Sequence, residues 1–127
     1  MTLYTIQFIM QVLVIDDSAL DRRFISSLLQ DMGCSVEACE NTDGVVEKLS
    51  TGQYSCLFLD IVMPERDGYK LLREIRANEA TAQQNVVFCS SKSSPLEVKY
   101  GLQRTGANDY ITKPVSRERL AEILQKL

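Results

Sequence analysis

Residues 57–64 have the sequence Leu-Phe-Leu-Asp-Ile-Val-Met-Pro, in which Asp60 directly follows three residues typical of protein cores. Pro64, four residues later, ends any regular helix or strand pairing. A charged group behind a buried strand costs free energy unless it has a partner or a chemical role, so we interpret Asp60 as a functional residue. The alternative is that Asp60 is a turn residue before Pro64.

Strand-type and helix-type segments alternate on both sides of this stretch. Apolar, β-favouring runs predict five strands, at residues 11–15, 35–39, 56–59, 86–89 and 109–112. After each run, apolar residues recur at helical spacing, which predicts five helices. Strands that are apolar throughout favour an α/β fold with helices on both faces of a parallel sheet. The specific prediction is a flavodoxin-like, doubly wound (βα)5 sheet with strand order 2-1-3-4-5.

Capping residues predict where the helices begin and end. Ser18 is expected to cap the first helix, with Asp21 completing a variant of the capping box, and Gly33 to end it. Helical spacing assigns to its apolar face Leu20, Phe24, Ile25, Leu28, Leu29 and Met32. Thr42 is predicted to cap the second helix, and the fourth helix is expected from about Leu96 to Thr105.

Composition excludes several classes of function. The 127 residues fit one domain, and a net charge of -3 without a basic cluster disfavours a nucleic-acid partner. The absence of histidine excludes Ser-His-Asp and Cys-His catalysis, most zinc sites and a phosphohistidine carrier. There is no G-x-G-x-x-G or P-loop motif, and the first predicted strand lacks the D-x-D nucleophile of haloacid-dehalogenase-type hydrolases.

The predicted location is the cytoplasm. The four cysteines lack C-x-x-C spacing and are expected to be free thiols in a reducing compartment. The apolar N-terminus lacks the features of a signal peptide, and no stretch reaches the roughly twenty apolar residues of a membrane helix. Residues 11–127 form the predicted domain. Residues 1–10 are an upstream extension, the result of a mis-chosen start, or an added edge strand that pairs between subunits.

Five polar residues fall at the carboxyl ends of the predicted strands. Asp16 and Asp17 follow the first strand and Asp60 the third. Ser90 follows the fourth and Lys113 the fifth. The strand order brings these ends to one crevice, where a histidine-free group of carboxylates suits Mg²⁺. We predict that Asp60 attacks a phosphoryl group whose oxygens are stabilised by Mg²⁺, Lys113 and Ser90.

Each of these residues has a structural explanation when taken alone. The Asp16-Asp17 pair would favour a helix N-terminus, and Ser90 would be a turn residue in a serine-rich loop. An isolated Lys113 would be a solvated surface lysine. The functional interpretation depends on all five residues sharing one edge of the predicted sheet.

Four blocks of the sequence resemble a known family. They are VLVIDDS (12–18), LFLDIVMPERDG (57–68), VVFCSS (86–91) and GANDYITKP (106–114). In this order they resemble the signature blocks of response-regulator receiver domains, and the resemblance extends over residues 11–127. It implies that a partner histidine kinase phosphorylates Asp60.

The resemblance also implies a ligand set and a backbone feature. Mg²⁺ would be bound by Asp16 or Asp17, by Asp60, and by the backbone carbonyl of Val62. The peptide bond between Lys113 and the following Pro114 would be cis, which proline makes affordable.

A conformational switch is implied in the same way. Ser90 would move toward the phosphoryl group, and Tyr110 would turn inward. The surface formed by helix 4, strand 5 and helix 5 would then bind a downstream protein, with the chain a monomer or weak dimer. The alternative for Tyr110 is a core or interface residue without a switching role.

Two departures from the family pattern affect the predicted site. Ser91 stands where a small, alanine-like residue is usual, which implies slightly different access to Asp60. Val62 and Lys92 occupy the two positions that tune hydrolysis, and a valine cannot orient a water molecule. We therefore expect slow self-dephosphorylation.

The last predicted helix reaches Leu127, so we expect a stand-alone, chemotaxis-like regulator. The run Cys-Ser-Ser-Lys (89–92) favours the type found in pilus-motility and phototaxis systems. A piece of a longer protein is the alternative for the chain. For the function, the alternative is a receiver-like scaffold that is never phosphorylated.

Overall fold

A computed structural model of the protein describes residues 9–63 and 67–127. Within these ranges, one sheet is formed by β1 (Gln11–Ile15), β2 (Ser35–Cys39), β3 (Cys56–Leu59), β4 (Val86–Ser90) and β5 (Asp109–Thr112). Its strand order is β2-β1-β3-β4-β5, and every pairing is parallel. The predicted fold class and strand order are therefore confirmed.

Helices cover both faces of this sheet. In chain order they are α1 (Ala19–Asp31), α2 (Val45–Leu49), α3 (Gly68–Ala77), α4 (Pro95–Gln103) and α5 (Arg117–Gln125). Buried residues of α1 and α5 pack on one face, and residues of α2, α3 and α4 pack on the other. None of the helices in the described part of the chain has the length and apolar character needed to cross a membrane.

The apolar strands are explained by these two layers. Leu13 and Ile15 of β1 belong to the core under α2 and α3, whereas Val12 and Val14 belong to the core under α1 and α5. All four side chains are buried, because successive residues of a strand point to opposite faces of the sheet. A strand with a helix layer on each side therefore has no polar face.

The predicted apolar face of α1 is wrong at two positions. Leu20 and Phe24 are expected on this face, but they are 79% and 48% exposed, and the buried residues of α1 are Ile25 and Leu29. Leu20 and Phe24 lie in the first two turns of α1, outside the apolar cluster beneath it.

The other errors concern helix ends. Gly44, with a φ of 68°, caps α2 in place of Thr42, whose carbonyl accepts a hydrogen bond from the Val45 amide. α4 begins at Pro95 because the Ser94 side chain caps it, and it ends at Gln103. Of the predicted N-terminal extension, residues 1–8 lie outside the described residues, as does Pro64.

An arginine joins three segments at the amino-terminal edge of the sheet. Arg76, in the last turn of α3, donates hydrogen bonds to the carbonyls of Ala82 (3.2 Å), Gln84 (2.7 Å) and Gly106 (2.9 and 3.2 Å). It also donates to the Asn108 side-chain oxygen (3.0 Å), which accepts from the first amide of β4 as well. One guanidinium thus connects α3 to the segments that precede β4 and β5.

We expect Arg76→Ala to lower the free energy of unfolding by about 2–4 kcal/mol, since several partly buried acceptors lose a charged donor. Urea denaturation monitored by circular dichroism measures this change. Arg73→Ala, an exposed position on the same helix, is the matched control and should change stability by no more than about 0.5 kcal/mol. Equal effects of the two substitutions would contradict the role given to Arg76.

Candidate functional site

Three carboxylates meet where β1 and β3 end. These strands are neighbours, and their register aligns Ile15 with Leu59. The next residues, Asp16 and Asp60, therefore lie side by side, and the Asp60 amide donates to the Ile15 carbonyl at 2.9 Å. Carboxylate oxygens of Asp16, Asp17 and Asp60 all lie within 4.8 Å of one another.

The three carboxylates differ in their surroundings. Asp16 is buried, and its Oδ1 atom accepts a hydrogen bond from the Ser18 amide at 2.9 Å. Asp60 is buried as well, with 7% of its surface exposed, whereas Asp17 is exposed to solvent. The cluster thus reaches from the sheet edge to the surface.

Lys113 supplies the positive charge of this site. It directly follows β5, and its amide donates to the Ser90 carbonyl at 2.8 Å, which extends the pairing of β4 and β5. The Nζ atom of Lys113 lies 2.8 Å from Asp16, 2.9 Å from Asp21 and 3.7 Å from Asp60. The Lys113–Pro114 peptide bond is cis.

Burial raises the pKa of Asp60 to about 6, from an ordinary value of 3.8. The Lys113 charge opposes this rise, while the nearby carboxylates of Asp16 and Asp17 add to it. Burial alone would lower the pKa of Lys113, but its hydrogen bonds to Asp16 and Asp21 outweigh burial and raise that pKa. The Asp60 carboxylate is consequently harder to ionise than an exposed aspartate.

The side chains of this cluster suit a hard divalent cation. The group offers carboxylate oxygens only, and Mg²⁺ prefers oxygen ligands while keeping some of its water. A cation would also relieve the carboxylate repulsion that, after burial, contributes to the raised pKa of Asp60. Asp16, Asp17 and Asp60 are therefore the residues of the described chain that suit a metal ion.

A close approach of α3 supports the backbone of the Asp60 loop. The Gly68 amide donates to the Ile61 carbonyl at 2.8 Å. A Cβ atom on Gly68 would lie 2.5 Å from the backbone oxygen of Asp60 and 3.0 Å from the Cα of Ile61. Only glycine permits this contact, which explains the Asp67-Gly68 pair after the Asp60 stretch.

Ser90 and Tyr110 are both buried beside the loop that follows β4. The Ser90 hydroxyl accepts a hydrogen bond from the Lys92 amide at 3.1 Å. The Tyr110 hydroxyl donates to the Lys92 carbonyl at 2.7 Å, with its ring inside the core. The two predicted switch residues thus contact the same residue of this loop, Lys92.

A glycine in α4 makes room for the Tyr110 ring. A Cβ atom on Gly101 would lie 2.9 and 3.0 Å from two carbons of that ring. The Phe88 ring packs on the Tyr110 ring with centroids 6.1 Å apart. Gly101, which costs helix stability, is therefore explained by the inward position of Tyr110.

The sequence interpretation missed two contributors to the site. The sequence pattern identifies Asp21 only as part of a helix cap, yet its carboxylate binds Lys113. The pattern gives no role to Arg22, whose guanidinium donates to the Asp16 carbonyl at 2.8 Å. Both lie in the first turn of α1, which begins at the same sheet edge as Asp16. Their place in the sequence, at the start of the helix that follows Asp16 and Asp17, is the feature from which a role in the site could have been predicted.

Comparison with known proteins agrees with this geometry. The sequence model of the response regulator receiver domain matches residues 12–125. The transcriptional regulatory protein DltR of Streptococcus agalactiae is 36% identical over 111 residues, which cover 87% of this chain and 48% of DltR. The chain thus spans about half the length of that relative. The chemotaxis protein CheY of Bacillus subtilis is 34% identical over 117 residues, which cover 91% of this chain and 95% of CheY.

A solved structure is also similar in fold. The receiver domain of a sensor histidine kinase from Pseudomonas aeruginosa superimposes with a TM-score of 0.82 at 26% identity, covering 94% of this chain and 97% of that one. That structure has a magnesium ion coordinated in its active-site cleft. The present chain belongs to the response regulator receiver domains, which act as signalling switches in two-component systems.

In metal-free buffer, we expect Asp60→Asn to raise the free energy of unfolding by about 1–2 kcal/mol near pH 7.5, because the buried charge is removed. A raised pKa means that the ionised carboxylate destabilises the folded state above about pH 6. The advantage of the variant should shrink as the pH falls from about 6 toward 4, since wild-type Asp60 then becomes protonated.

Denaturation at several pH values in the presence of a chelator measures this difference. Asp31→Asn, an exposed position on α1, is the control and should show no such pH dependence. An Asp60→Asn variant that is no more stable than wild type near neutral pH would contradict the buried-charge argument.

Proposed function

We propose that this chain is a phosphorylation-dependent switch that accepts a phosphoryl group on Asp60 from a histidine kinase. The observation that supports it is the position of the buried Asp60 carboxylate, which lies within 4.8 Å of the carboxylates of Asp16 and Asp17 and 3.7 Å from the Lys113 ammonium. Such a group is a nucleophile with charge stabilisation already beside it.

In the proposed transfer, an Asp60 carboxylate oxygen attacks the phosphorus of a phosphohistidine on the kinase. The new O–P bond forms as the P–N bond breaks, and the electron pair returns to the imidazole nitrogen, which gains a proton. Lys113 donates to one phosphoryl oxygen and the Ser90 hydroxyl to another. Mg²⁺, when bound by Asp16, Asp17, Asp60 and the Val62 carbonyl, would neutralise charge on the phosphoryl oxygens.

The signal would be read on the α4–β5–α5 face. Phosphorylation would draw Ser90 toward Asp60 and change the loop around Lys92, which both Ser90 and Tyr110 contact. Leu96 and Tyr100 of α4, 76% and 45% exposed, offer apolar contact area on this face for a downstream protein. A chemotaxis-like pathway, a cytoplasmic setting and a monomeric or weakly dimeric state stay part of the proposal.

Incubation with Mg²⁺ and acetyl phosphate tests the phosphoacceptor. We expect an acid-labile adduct carrying one phosphoryl group in the intact-protein mass spectrum, and Asp60→Asn should abolish it. Asp31→Asn, which removes the same charge elsewhere, should be phosphorylated like wild type. If wild type forms no adduct, the chain is better described as an unphosphorylated scaffold.

The lifetime of the adduct tests the role of Val62. Its side chain is 54% exposed two residues after Asp60 and has no group that orients an attacking water. We expect Val62→Asn to shorten the half-life of the phosphorylated form several-fold, because the amide supplies such a group. The decay is followed after removal of acetyl phosphate, and Val62→Leu serves as the apolar control. A wild-type half-life no longer than that of Val62→Asn would contradict slow self-dephosphorylation.

A further inference from the structure

The Lys113 ammonium is held on the α1 side of the site. It has three N–H donors, and two of them reach Asp16 at 2.8 Å and Asp21 at 2.9 Å. The nearest Asp60 oxygen is 3.7 Å away, which is beyond hydrogen-bond distance. Lys113 is therefore close to the proposed phosphoacceptor without being bonded to it.

The two carboxylates that hold Lys113 have different structural roles. Asp16 is buried, and its other oxygen is bonded to the Ser18 amide, so the fold requires it. The Asp21 side chain is 42% exposed. The cap of α1 uses the Asp21 amide and the Ser18 hydroxyl, and thus does not need the Asp21 carboxylate. In the site, the Asp21 carboxylate accepts a hydrogen bond from Lys113.

We propose that Asp21 is a positioning residue that restrains Lys113 and thereby slows phosphorylation of Asp60. The inference rests on the proposed function, in which Lys113 must donate to a phosphoryl oxygen as the transfer proceeds. Because the Lys113 Nζ atom lies 3.7 Å from Asp60, it must move toward the phosphoryl oxygen to donate its third N–H, and the bond to Asp21 opposes that movement. Asp21 therefore sets how readily Lys113 reaches the phosphoryl group.

The structural alternative is that Asp21 only favours the N-terminus of α1 through the helix dipole. In that case its removal would change stability slightly and would leave Lys113 and the transfer rate as they are. The two explanations therefore differ in measurable ways.

Asp21→Asn removes the charge and preserves the shape of the side chain. With Mg²⁺ and acetyl phosphate, an Asp60 oxygen forms a bond to phosphorus while the bond from phosphorus to the acetyl oxygen breaks, and acetate leaves with the electron pair. We expect the initial rate of this reaction to rise about two- to fivefold, the range for loss of a partly exposed ion pair. Asp31→Asn, on the same helix and paired with Arg117 at 3.2 Å, is the control for net charge and should leave the rate unchanged.

A double-mutant comparison separates restraint of Lys113 from simple repulsion of an anionic phosphoryl donor. In a Lys113→Met chain, Asp21 has no ammonium to hold, so Asp21→Asn should then have no effect on the rate. An acceleration of the same size in both backgrounds would overturn the proposal, because the carboxylate would act through its field alone.

The unphosphorylated protein provides a readout that is independent of the reaction. The Lys113 ammonium signal in ¹⁵N-detected NMR, assigned with Lys113→Met, should exchange its protons with water faster in Asp21→Asn than in wild type. An unchanged signal and rate would overturn the inference. A wild-type chain that forms no adduct would instead overturn the proposed function, and this inference with it, so the two failures are distinguishable.

Discussion

The ion pairs of Lys113 are the interactions on which this site depends. Like-charged carboxylates in one crevice repel one another, and burial adds to the cost of their ionisation. A single ammonium within 4 Å of Asp16, Asp21 and Asp60 makes the arrangement tolerable. Lys113 follows β5, at one edge of the sheet, whereas the carboxylates lie near the ends of β1 and β3, in its middle. The ion pairs of Lys113 therefore connect the middle of the sheet to its edge.

The sheet topology brings the carboxylates of the site together. In the order β2-β1-β3-β4-β5 the chain reverses its winding between β1 and β3, which leaves a crevice at their carboxyl ends. Asp16 and Asp60 are the next residues in register after paired strand ends. The positions of Asp16 and Asp60 are therefore set by the backbone pairing of β1 and β3.

A second set of contacts lies on the other side of β4. Ser90, at the end of that strand, and Tyr110, on β5, meet at Lys92, while Gly101 of α4 admits the Tyr110 ring. These contacts join the end of β4, near Asp60, to the surface of α4. A change at Ser90 thus has a short physical route to the face that is proposed to bind a partner.

The sequence by itself determined the fold class, the strand order and the residues at the strand ends. A sequence in which apolar strands alternate with amphipathic helices is compatible with few compact folds. In a parallel sheet, the carboxyl ends of all strands lie at the same edge. Helix boundaries such as that of α2 do not follow from the sequence, since Gly44 caps the helix where Thr42 is the expected cap. Only the tertiary structure decided that Asp21 binds Lys113 and that Gly101 faces Tyr110, because each contact joins two different elements and depends on how a helix packs against the sheet.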